Sequence, residues 1–277
     1  AEDQSEYDNW ECPRLSVPIN GNVVAMTDQT DQTTTASTDA SHAVTFDKIR
    51  TEMLKPTGQL FDVIHMAPPW QLATANPTRG VALGYSQLSD RDIQNLPIPS
   101  LQTNGLLFIW VINAKYRLAL KLIKHWVRFL NIGGGGGGGG WLFHLVAVLE
   151  TVVFFLTWVT HRRSPLFLFL DRPDQGYELI DEVVWVKQTV NRRLAKSHGY
   201  YLQHAKETCL VAKIGNDPKN FTPGGSDIIW SERRGQSQKP EEIYELIQNL
   251  VPNGYYLEIF GRRNNLHDYW VTVGNEL

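Results

Sequence analysis

Sulfur and positive charge are both scarce in this sequence. Two cysteines, Cys12 and Cys209, are too few for a disulfide framework and have no metal-ligand spacing, which fits a reducing compartment such as cytosol or nucleus. Lys and Arg number 26 against 29 Asp and Glu, for a net charge of -3. That balance excludes a stand-alone, strongly basic nucleic-acid binder, so partner subunits must supply much of the phosphate affinity if nucleic acid is the substrate. No G-x-G-x-x-G element follows an apolar run, which disfavours a nicotinamide or flavin dinucleotide. The acidic start, AEDQSEYD, has neither a basic nor an apolar leader region, and no signal peptide is expected.

What is present suits one large core or two modest ones: 277 residues, 42% of them hydrophobic. Residues 1–43 carry few order signals, and the Thr/Asp/Gln-rich tract 26–42 reads as a flexible segment, with Trp10, Leu15, Val17 and Ile19 available to pin the chain before it. From residue 44 the pattern becomes α/β. Short apolar runs at 60–66, 105–112, 181–187, 207–213 and 255–261 suit strands covered on both faces. Helical stretches lie between them. Ser89 with Asp92 three residues on predicts a capped start, Asn113 is a candidate cap for 113–126 with a stripe at Leu118, Leu122 and Ile123, and Ser237 with Pro240, Glu241 and Glu242 opens 237–250. The alternation predicts a doubly wound α/β sheet.

Residues 127–175 break this pattern. They hold eight consecutive glycines (Gly133–Gly140) followed by a long apolar run, 141–159, of a length that suggests a membrane helix. His144 and Glu150 count against that, and so does topology, because a span between a helix and the next strand of one sheet would divide the domain. Without 127–175, a helix runs through Gly176 into a strand. The segment is therefore read as an insertion in a domain spanning 44–277. A translated intron would account for it, since a valine codon begins with GT and a glutamine codon can end in AG.

At the end of the 60–66 run stands "APPW", Ala67–Trp70. Ligands bind at the carboxyl ends of strands in open α/β sheets. Two prolines remove two N–H donors and leave nearby carbonyls to face a ligand, while Trp70 offers a flat face on which a base can stack. The plainer alternative is a Pro-rich loop with a core tryptophan. The stretch "DVIHMAPPW" resembles the Asp-Pro-Pro-Trp motif of the MT-A family of S-adenosylmethionine-dependent adenine-N6 methyltransferases. Further blocks follow in that family's order: "YSQLS" (85–89), "GLLFIWV" (105–111), "GYELIDEVVWVK" (176–187), "LQHAKETCLV" (202–211), "SQKPEEIYELI" (237–247), "LEIFGRRNN" (257–265) and "WVTVGNEL" (270–277). The whole is most similar to the ciliate DNA members, with the mRNA members the alternative.

The resemblance implies a Rossmann-like methyltransferase sheet with helices on both faces, S-adenosylmethionine as methyl donor, S-adenosylhomocysteine as product, and no metal. The family's aspartate accepts a hydrogen from the adenine amine, and Ala67 stands in its place. Pro68 and Pro69 would offer a carbonyl to the other hydrogen, and Trp70 and Tyr85 would pack around a base drawn out of its helix. Alanine cannot accept, so this copy is expected to be catalytically impaired, with a scaffold role as the rival reading. Asp47 and Lys48 fall near the cofactor's adenine, and Lys239 near its carboxylate or the substrate. Glu258 would accept from ribose hydroxyls, and Asn265 would hold the carboxylate. Phe260, Arg262 and Asn264 share that block, and Asn275 with Glu276 match a ribose-binding pair. The basic stretch 187–207, with Arg192, Arg193, Lys196 and His198, would line a nucleic-acid groove or meet a partner, with His204 and Glu207 on the substrate side. Heterodimerisation with a degenerate paralogue, accessory DNA-binding subunits and a nuclear location are implied likewise.

Overall fold

A computed structural model describes residues 13–27, 45–71, 86–126, 176–197, 201–235 and 238–277. Strands β1 (Val17–Asn20), β2 (Val63–Met66), β3 (Gly105–Val111), β4 (Glu178–Gln188), β5 (Lys206–Ile214), β6 (Ile228–Glu232), β7 (Tyr256–Ile259) and β8 (Trp270–Gly274) form one sheet. Its order is β1-β8-β7-β2-β3-β5-β4-β6. β5 runs antiparallel to both of its neighbours, and every other pairing is parallel. This is a Rossmann-like α/β sheet with helices on both faces, as expected.

The helices are α1 (Phe46–Thr57), α2 (Asp90–Gln94), α3 (Tyr116–His125) and α4 (Glu242–Leu250). Thr45 caps α1 by accepting from Lys48 N (3.1 Å), and Gly58, at φ +66°, ends it in the left-handed conformation. Ser89 and Asp92 form the expected reciprocal capping box on α2. Two expected starts are corrected. Asn113 opens a 3-10 turn (Asn113–Lys115) rather than capping α3, which begins one turn later. Glu241, not a serine, precedes α4 and makes no side-chain cap; Ser237 lies outside the described residues.

β3 shows why the central runs are continuous rather than alternating in polarity. All seven of its residues are buried. Leu106, Phe108 and Trp110 join a core that includes Ile243, Tyr244 and Ile247 of α4, while Leu107, Ile109 and Val111 join one with Phe46 of α1 and Leu122 of α3. A strand with a helix layer on each side has no solvent face on which to carry polar residues.

β1 and β6 carry weaker signals, and neither is predicted as a strand from the sequence. Both lie at sheet edges. β1 pairs Val17 with Val271 and thereby pins the segment before the polar tract. Of that tract, Met26 is buried and residues 28–42 lie outside the described residues. The stretch 127–175, including 141–159, also lies outside them. Its flanks meet, since Tyr177 N donates to Trp126 O (3.4 Å), so the chain leaves and re-enters the described fold at one point. No helix among the described residues is long and apolar enough to cross a membrane.

Candidate active site

The parallel strands β2, β3, β7 and β8 end on one edge of the sheet, and antiparallel β5 begins there. A cleft of about 950 Å³, counted out to open solvent, occupies that edge. Its lining brings together the chain after β2 (Ala67–Trp70), after β7 (Phe260, Gly261, Arg262, Asn265) and after β8 (Asn275, Glu276), with Glu207 from the start of β5 and Lys239 from before α4. These segments are more than 200 residues apart in sequence at the extremes (Ala67 to Glu276) and meet only because the sheet aligns their ends.

The proline corner is a tight turn. Pro68 O accepts from Trp70 N (2.8 Å) and Pro69 O from Leu88 N (2.9 Å). Each carbonyl keeps a second lone pair for a ligand. Trp70 is 4% exposed, and its Nε1 donates to the Trp110 carbonyl (2.9 Å). The ring therefore fixes the corner to the core and shows the cleft only a small part of its surface, in contrast to an open stacking platform. Ala67 is partly buried against the α4-side core and presents no polar atom beyond its backbone.

Glu207 sits between two lysines, Lys187 and Lys239, the latter at 2.6 Å. Burial alone would raise its carboxyl. The ammonium groups of Lys239 and Lys187 outweigh burial and bring it from an ordinary 4.5 down to about 2. Lys239 also lies 5.3 Å from the centre of the Trp110 ring, in cation-π range. Because the folded carboxyl titrates below the unfolded one, this cluster stabilises the fold above the unfolded value and ceases to do so as pH falls toward 2. Urea unfolding at pH 7 is therefore expected to show Glu207→Gln less stable by about 2–3 kcal/mol. That difference closes between about pH 4.5 and pH 2. A gap that persists at pH 2 would remove the ion-pair explanation.

Glu258 faces the cleft from β7 but is 1% exposed. It lies directly opposite His65 across the β2–β7 pairing, and His65 Nδ1 is 2.8 Å from its Oε2. Tyr244 of α4 donates to the same oxygen (2.8 Å), and Asn265 Nδ2 donates to Tyr244 (2.9 Å). Arg262 Nε pairs with Glu276 Oε2 at 2.9 Å.

Among the other residues singled out from the sequence, Asp47 and Lys48 are exposed on the first turn of α1, away from the cleft lining. Asn264 is likewise outside it, and its Oδ1 is buried without a partner among the described residues. Arg192, Arg193 and Lys196 are exposed on the β4–β5 connection, where Arg192 has φ +56°. His204 pairs through its backbone with Ser197 in the same connection. Tyr85 and His198 lie outside the described residues. Sequence reasoning missed Ser86, Trp110, Gln238 and Gly261 as lining residues. It also missed His65 and Tyr244 behind them. A histidine inside an otherwise apolar buried run was the available signal for His65.

The residues at this edge fit a zwitterionic nucleoside ligand such as S-adenosylmethionine. Lys239 and the Asn265 amide can donate to a carboxylate, Glu258 and Glu276 can accept from hydroxyl or ammonium groups, and Phe260 adds an apolar wall. No group of three or more possible metal ligands occurs among the described residues.

The family model described as MT-A70 matches residues 61–130 and 145–276. The N(6)-adenosine-methyltransferase MT-A70-like protein of Drosophila melanogaster is 30% identical over 220 residues, which is 78% of this chain and 27% of that protein. The N(6)-adenosine-methyltransferase catalytic subunit METTL3 of Homo sapiens is also 30% identical over 220 residues, covering 78% of this chain and 28% of its own length. The N(6)-adenosine-methyltransferase non-catalytic subunit METTL14 of Drosophila melanogaster is 28% identical over 117 residues, 37% of this chain and 28% of that protein. The chain thus spans about a quarter of the length of the relatives it matches.

Proposed function

The chain belongs to the MT-A70 family, and on that premise we propose that it is the methyltransferase domain of an adenine-N6 methyltransferase that uses S-adenosylmethionine. The observation that carries this reading is the single cleft shared by the Pro-Pro-Trp corner, Lys239 and Asn265. A corner closed into the interior would have had no use for them.

Bound there, S-adenosylmethionine supplies a methyl group on a sulfonium that is already a good leaving group. The adenine amine is a poor nucleophile, since its lone pair is delocalised into the ring. The protein's work is to align that amine, exclude water and accept its hydrogens as charge develops. Pro68 O has one lone pair left for this. At the neighbouring position Ala67 has no side-chain acceptor, and this copy is accordingly slow or silent. The names of the relatives specify adenosine, which favours an RNA substrate over the DNA that the block pattern implied. They also name a catalytic and a non-catalytic subunit, which supports pairing with a paralogue. Residues 127–175 act in this reading as an insertion carried on the domain.

Calorimetric titration with S-adenosylhomocysteine tests the reading without requiring turnover. Saturable one-to-one binding is the expected result, and an absence of heat at millimolar ligand would overturn it. Matched RNA and DNA oligonucleotides, offered to the chain after Ala67→Asp, then decide the substrate. Methyl incorporation into RNA alone supports the proposal, and incorporation into DNA alone restores the DNA expectation.

A further inference from the structure

The two hydrogen bonds on Glu258 have fixed directions. The Trp110 indole can only donate, and its Nε1 is 2.7 Å from His65 Nε2. That nitrogen must accept, so the ring proton sits on Nδ1 and is given to Glu258 Oε2. On the other side, Arg262 N donates to Asn265 Oδ1 (3.0 Å), which orients the amide and turns Nδ2 toward Tyr244. The Tyr244 oxygen is therefore an acceptor from Asn265, and its one hydrogen goes to Glu258 Oε2. Burial, and then the Glu258 charge, raise the Tyr244 hydroxyl well above its usual value, so it stays a donor.

Both donors thus converge on Oε2. No described residue bonds Oε1, in a side chain 1% exposed at the wall of the cleft. His65 is itself fully buried, and Tyr256, Trp270 and Trp110 belong to the same core. A carboxylate buried in such surroundings is costly unless its oxygens are used. We propose that His65 and Tyr244 are positioning residues: they lock Glu258 so that its free oxygen accepts a hydrogen from the ribose hydroxyls or the ammonium of the methyl donor. Tyr244 also ties Asn265 to the same carboxylate, so two lining residues from separate segments are set as one unit. This inference rests on the methyl-donor reading above.

Titration of the full chain with S-adenosylhomocysteine tests it. Tyr244→Phe keeps the ring and removes both hydrogen bonds, and is expected to weaken binding by about 10-fold or more. His65→Leu is expected to do the same. His65→Asn keeps an N–H near the Nδ1 position and is expected to bind within about 3-fold of the unaltered chain. A purely structural role for His65 would lower affinity in both His65 variants in step with their melting temperatures, and that result overturns the proposal. So does unchanged affinity in Tyr244→Phe, which leaves the methyl-donor reading standing. Failure of the unaltered chain to bind overturns both. If Tyr244→Phe does not fold, equal affinities for His65→Asn and His65→Leu overturn the proposal on their own. Repeating the series with 5′-methylthioadenosine, which keeps the ribose and lacks the amino acid, identifies the donor: a retained penalty assigns the hydroxyls and a lost one the ammonium, and either supports the proposal.

Discussion

Ala67→Asp raises methyl transfer by at least about 10²-fold, read as radiolabelled methyl incorporated into an adenine-containing oligonucleotide in single-turnover mode. The substitution places a carboxylate at the carboxyl end of β2, on the cleft wall that also carries Pro68 and Lys239. An acceptor there gives the N6 amine a charge-assisted hydrogen bond worth roughly 1.5–3 kcal/mol, and the effect grows where the bond strengthens in the transition state. Lys239 offsets the added negative charge, although it is already shared with Glu207. For that reason Glu207→Gln in the Ala67→Asp background should recover less than the single change, since it frees Lys239 to draw the new carboxylate away from the amine. The control is Ala67→Leu, which fills the same space without an acceptor and should gain nothing. Equal rates for Ala67→Asp and the unaltered chain, both shown to bind S-adenosylhomocysteine, would mean that the corner does not orient the amine.

The parts of this molecule that could be read from its sequence are those whose signal is local. β2, β3, β7 and the middle of β5 announce themselves because strands covered on both faces are apolar but for a single residue or two, while β4 shows as a short Val/Trp run of which only Val183 and Trp185 are buried. β6 does not: Ile228 and Trp230 are exposed on an edge strand with only Ile229 buried between them, too short a run to separate from a loop. The cap of α2 was legible because both its partners lie within four residues, whereas the start of α3 was displaced by a 3-10 turn that Asn113 favours equally well. At the site, the strand-end blocks were legible by resemblance, but the pairing of His65 with Glu258 was not. Those residues are 193 positions apart, and they face each other only because β2 and β7 pair in one register. The clamp of Glu207 by Lys187 and Lys239 is hidden for the same reason: its members come from β4, β5 and the chain before α4.

Gly274→Ala is expected to cost about 3 kcal/mol or more in unfolding free energy and to weaken S-adenosylhomocysteine binding by at least about 10²-fold. A Cβ on Gly274 would lie 1.9 Å from Gly261 O, 2.9 Å from its carbonyl carbon and 3.2 Å from its nitrogen. Every one of these atoms is backbone, so no side chain can rotate to make room, and β7 and β8 must part where Gly261 N bonds Val273 O (2.9 Å). That separation falls directly on the cleft. Asn275 and Glu276 follow Gly274, and Glu276 reaches back to Arg262 beside Gly261, so the two strand ends move as a pair. Gly58→Ala serves as the comparison. Gly58 has φ +66°, and a methyl group added there would meet nothing within 4 Å. Its cost is strain alone, about 1 kcal/mol, at the end of α1 and outside the cleft lining. Stability should fall in both variants, but affinity only in Gly274→Ala. If the two lose affinity in proportion to stability, the close approach of β7 and β8 serves folding alone, and the strand-end construction of the site is refuted.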